Sequence, residues 1–105
     1  MLTEQEIKAL ELARSILRGE TGILEGCRSF VPFLSDLDIN NSVKDVFRAV
    51  DSESDHLPLG AVRIHWSPNS LVEKDKEAEA YAAKVRPMVI EACKLVITQL
   101  QEKIE

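Results

Sequence analysis

Apolar positions recur at helical spacing over most of this chain. Thr3-Glu4-Gln5-Glu6 has the form of a capping box, in which the Thr3 oxygen accepts from the Glu6 backbone while the Glu6 side chain reaches back. Behind it Ile7, Leu10, Ala13, Ile16 and Leu17 share one face, with Lys8, Glu11, Ser15 and Arg18 towards water. This predicts a helix over about residues 4–18, stopped by Gly19. A second helical pattern begins at Thr21 or Gly22 and places Ile23, Leu24, Cys27, Phe30, Val31 and Leu34 on a core face. Gly26 lies inside it, which predicts a close contact with a neighbouring helix, and Pro32 should kink or end it. Residues 35–41 read as a loop with Leu37 and Ile39 as apolar anchors. A short third helix, capped by Asn41 or Ser42, then carries Val43, Val46, Phe47 and Val50 at i, i+3, i+4 and i+7.

Ser67-Pro68 supplies an N-cap and a favoured first helical residue for the longest pattern, which runs to about residue 102. Its first half is dominated by charge from Glu73 to Glu79; its second half carries Val85, Met88, Val89, Ile90, Ala92, Cys93, Leu95, Val96, Ile97 and Leu100. Pro87 stands between them and is expected to bend the helix, letting the charged half project while the apolar half packs inside.

Between the third and last helices the periodicity fails. Asp51-Ser52-Glu53-Ser54-Asp55-His56-Leu57-Pro58-Leu59-Gly60 alternates acids with serines and closes on two helix breakers. Read as a connection, it begins where the carbonyls of the third helix go unsatisfied, a place that favours cations, so its acids need a compensating group. Val62-Arg63-Ile64-His65-Trp66 then alternates with period two, predicting an extended connection across the bundle, with strand pairing across a dimer as the alternative. The expected fold is therefore all-α: one helical domain over residues 1–105, an irregular four-helix bundle with a long ordered connection before a long C-terminal helix.

Composition and charge sharpen this further. Hydrophobic residues at 45% and charged residues at 30% describe a folded protein, and aromatics at 5% leave the core to aliphatic side chains. A net charge of -5 without any Lys/Arg stripe argues against nucleic acid as a partner. Acids at the amino terminus and the lack of a long apolar run argue against a signal peptide or membrane span, giving a cytoplasmic expectation. Cys27 and Cys93 fall on apolar helical faces and read as reduced core thiols. The second half of the last helix is apolar around more of its circumference than one core face requires, so either several helices surround it or a homodimer covers it.

The candidate chemistry centres on the acidic segment. Asp51, Glu53, Asp55 and His56 offer oxygen and nitrogen ligands close together, but counted from Asp51 the EF-hand glycine and terminal acid are replaced by His56 and Val62, and no metal is assigned. Structurally, the same acids could pair with Arg63, Arg28, Arg48 or Arg14 and lock the connection in place. His56 or His65 beside Glu53 or Asp51 could form an acid/base pair, yet the chain has no nucleophile elbow or phosphate-binding glycine loop, and no catalytic residue or cofactor is assigned. Trp66 is expected to anchor the crossing in the core.

Asp51-Ser52-Glu53-Ser54-Asp55, Leu57-Pro58-Leu59-Gly60, Arg63, Trp66 and Lys74-Asp75 resemble a group of short bacterial proteins of unknown function that share an acidic DSE[ST]D-x-LP-x-G segment followed by Arg and Trp. The resemblance covers roughly residues 21–100 and implies a helical fold and a bacterial source; it brings no activity or ligand to carry over. The functional expectation is a small non-enzymatic interaction or regulatory domain that neutralises or regulates an unknown protein partner. The alternative is an enzyme or metal-binding domain built on residues 51–56.

Overall fold

A computed structural model describes residues 1–104 and contains helices and turns only, with no strand among the described residues. Helix α1 (Glu4–Leu17) opens with the expected capping box: Thr3 Oγ1 accepts from the Glu6 N–H at 3.1 Å and Glu6 Oε1 accepts from the Thr3 N–H at 3.0 Å. Its buried face is Glu6, Ala9, Leu10, Ala13 and Ile16. That face is turned by one residue from the expected one, leaving Ile7 exposed and taking a carboxylate inside.

Helix α2 (Ile23–Phe30) is capped by Gly22 and passes directly into a 3-10 turn over Val31–Asp36 with Pro32 near its start. Proline ends the α-helix here because it offers no N–H for the four-residue ladder. Gly26 makes the close contact its position predicted, since a Cβ there would stand 2.6 Å from Ile16 Cγ1. Helix α3 (Asn41–Ser54) takes Asn40 as its N-cap, one residue earlier than expected, and the Asn40 N–H donates to Gln99 Oε1 at 2.8 Å. Helix α4 (Pro68–Glu102) has the predicted cap, with Ser67 Oγ accepting from the Ser70 N–H at 3.2 Å.

At ~1.5 Å per residue, the 35 residues of α4 reach about 52 Å, and the long dimension of the molecule is 51 Å. This helix is the spine on which α1, α2 and α3 pack, giving an irregular four-helix bundle. Its buried residues, Val85, Val89, Ala92, Cys93, Val96 and Leu100, all lie in the second half. The charged first half is only partly covered, as its composition implied. Pro87 sits inside α4 without ending it; the carbonyl of Ala83, which loses its intrahelical donor, belongs to an exposed residue that water can reach.

One contiguous core joins the four helices. Phe30 and Phe47 are fully buried and stacked, with ring centroids 4.2 Å apart. Cys27 and Cys93 are buried free thiols, and burial pushes both up to about 12. No described helix is long and apolar enough to cross a membrane.

Two expectations for the connection are corrected. The first four residues of the acidic segment, Asp51–Ser54, form the last turn of α3 rather than a loop. Nothing within them breaks a helix, Pro58 and Gly60 lie beyond, and Ser54 Oγ donates back to the Val50 carbonyl at 2.7 Å. The period-two stretch is not extended: Gly60–His65 is a 3-10 turn, entered through Gly60 at a φ of 68° that favours glycine. With no neighbouring strand to satisfy its backbone, the chain folds on itself, and Ile64 is left 83% exposed.

Candidate functional site

The residues singled out by the sequence surround the junction of α3 with the first half of α4, but they do not converge on one point. Arg28, in the last turn of α2, donates from Nε to Asp51 Oδ1 at 3.1 Å, from Nη2 to the Ser54 carbonyl at 2.6 Å and from Nη1 to the Leu57 carbonyl at 3.3 Å. One guanidinium thus neutralises the first acid and satisfies carbonyls at the end of α3, supplying the cation that the helix dipole calls for. This is the compensating group the acids require.

Arg63 points elsewhere. It forms a bidentate pair with Asp75 of α4, at 2.6 and 3.0 Å, and donates to the Pro58 carbonyl at 3.4 Å. The hydrogen bonds from Arg63 hold the Asp75 carboxyl below its ordinary range and the guanidinium above its own. The remaining acids find partners on the same helix or none. Tyr81 donates its hydroxyl to Glu53, and burial together with that bond pushes the phenol up. His56 Nε2 lies 2.9 Å from Glu77 Oε1, and Glu77 is held below its usual value by His56 and then by Lys74. Asp55, the C-cap of α3, and His65 are exposed, with no ion pair among the described residues.

Trp66 is half-buried and stands outside the core cluster, so its expected role as a core anchor is corrected. It follows an exposed 3-10 turn instead of a strand that would press it into the bundle. Neither Arg48, paired with Asp45 three residues away, nor Arg14 joins the acidic segment. Among the described residues no three His, Cys, Asp or Glu side chains stand where they could share a metal ion. The carboxylates act as separate fasteners: Asp51 joins α3 to α2, while Glu53 and His56 join the end of α3 to α4.

Two further features were hidden in the sequence. Glu6 is 1% exposed; burial would raise its carboxyl, but hydrogen bonds from Lys103 and from the Thr3 and Asp38 backbone outweigh it and bring the group to about 2. Lys103 reaches it from just beyond the end of α4, 97 residues away. The capping box revealed only half of this arrangement.

The other feature is an apolar groove of about 290 Å³ between α3 and α4. Val43 and Val46 form one wall, Met88, Ala92 and Leu95 the other, and Ser42 and Glu91 supply its polar edge. Met88 is 45% and Leu95 38% exposed. The surplus of apolar residues in the second half of α4 signalled this face, whereas the contribution of α3 needed the packing. A more polar groove of about 360 Å³ lies between α2 and α4, where Arg63 and Arg86 alternate with Glu25, Asp75 and Glu79, so it presents no single sign of charge.

The chain matches no family model, no curated protein and no solved structure.

Proposed function

We propose that this protein is a non-enzymatic interaction domain that regulates or neutralises a partner protein by receiving part of it in the α3/α4 groove. The carrying observation is the groove itself, where Met88 and Leu95 of α4 stay exposed beside the half-buried Val46 of α3 and leave apolar surface uncovered. The polar candidates support the same reading. Asp51, Glu53, His56 and Arg63 are each engaged in fastening one element to another, which leaves them without the convergent geometry that general acid/base work needs. A net charge of -5 would steer a basic partner towards the domain. In keeping with the resemblance of residues 21–100 to short bacterial proteins, the partner in this proposal is a bacterial protein.

The test is site-specific photo-crosslinking. A benzophenone side chain at Leu95 should give one discrete adduct in native lysate, abolished by Met88→Asp, while the same group at exposed Ser29 on α2 should not. Circular dichroism controls for folding of each variant. Identical adduct patterns from the two positions, or an adduct indifferent to Met88→Asp, would remove the groove from the interaction.

A further inference from the structure

Resting on that reading, we propose that the groove takes two turns of a basic amphipathic helix from a partner protein, with apolar side chains at i, i+3 or i+4 and i+7 inside it and a Lys or Arg against Glu91. Length is the first argument. Met88 and Leu95 are seven residues apart on α4, about 10.5 Å along its axis, which is the distance between positions i and i+7 on an incoming helix. The walls are helices, and an apolar trough between two helices accepts the apolar stripe of a third.

Charge is the second argument, and it selects the partner. Glu91 has no ion pair among the described residues, whereas Asp45 on α3 already binds Arg48. Lys84 and Lys94 of α4 stand outside the groove lining, so the charged group within it is a carboxylate. A second copy of this chain fits poorly. It would bring together two molecules that each carry -5, and neither copy adds a Lys or Arg from its own groove lining to meet Glu91. Outside the groove the described residues offer no matching helix face: Ile7 on α1 and Val72 on α4 are exposed singly, Val62 and Ile64 belong to a 3-10 turn, and Met1 and Ile104 lie beyond the helix ends. The complement is therefore a cationic helix from another protein.

Two synthetic amphipathic peptides of equal length test this, both with leucine at i, i+3 and i+7, one with lysine and one with glutamate on the polar face. They are titrated into the full chain at low salt and followed by amide and methyl NMR shifts. The lysine peptide should perturb Val43, Val46, Met88 and Leu95 and bind about tenfold or more tightly than the glutamate peptide, a ratio that shrinks with added salt. Glu91→Lys should reverse the preference; Glu11→Lys, the same charge change on the solvent face of α1, should leave it standing. Equal binding of both peptides in the groove, or equal loss with either charge reversal, overturns the basic-helix assignment while leaving the groove as an interaction site. Shifts outside the groove overturn the assignment too. A concentration-dependent dimer abolished by Met88→Asp would give the groove to a second copy.

Discussion

The two halves of α4 are held in different ways. Its second half buries valine, alanine, cysteine and leucine in the shared core, so its position follows from the removal of apolar area from water. Its first half buries no residue fully, packs only the partly buried Ala78, Tyr81 and Ala82 against the core and, together with the Gly60–His65 turn, is fastened by side-chain pairs: Arg63 to Asp75, Glu53 to Tyr81 and His56 to Glu77. Burial acts on many atoms at once and tolerates small displacements, whereas each fastener depends on two particular groups and remains in contact with solvent. The domain should therefore unfold as one unit around the second half, while the first half can loosen on its own.

The largest effect should come from the core that the second half shares with the other helices. Phe47→Ala removes a fully buried ring stacked on Phe30 and is expected to cost about 3–5 kcal/mol in urea unfolding. If the loss were below ~1 kcal/mol, the stacked pair would not be the centre of the core. Next comes the buried Glu6–Lys103 pair. The Glu6 carboxyl lies at about 2 in the folded chain against an ordinary 4.5, so the unfolded state takes up its proton first as pH falls. Stability from this group should be complete above about 4.5 and disappear as pH drops through about 2. Urea midpoints over that window should fall with acid, and Lys103→Met, which raises the carboxyl by removing its cation, should flatten the slope.

Arg28→Met lies on the border between the regions. It strips three hydrogen bonds from the end of α3 and should cost roughly 2 kcal/mol, with faster amide exchange at Ser54 to Leu57. The smallest global effect belongs to Arg63→Ala, because its pair with Asp75 is more than a third exposed on both sides. Here the urea midpoint should barely move, while hydrogen exchange quickens in residues 60–75 and not around Phe47. A large drop in midpoint would join the two regions into one cooperative unit.

Much of the architecture could be read locally. Thr3 with Glu6, and Ser67 with Pro68, mark helix starts because capping depends on residues within one turn, and the core face of α3 shows in the spacing of Val43, Phe47 and Val50. The turn at residues 60–65 was less legible because five alternating residues fit a strand only if another strand lies beside them. The groove stood between these cases: Met88 and Leu95 advertise surplus apolar surface, but only packing sets Val43 and Val46 opposite them.

The sequence by itself determined the four main helices, where most of them begin and which half of the last helix is buried, since periodicity and capping are short-range. The tertiary structure alone decided the charge pairings. Arg28 meets Asp51 across 23 residues, Arg63 takes Asp75 instead of an acid of the 51–55 segment, and Glu6 turns inward to Lys103 while Ile7 faces water. Each arginine had several carboxylates within plausible reach along the chain, and the choice among them belongs to the helix faces that burial of the core brings together.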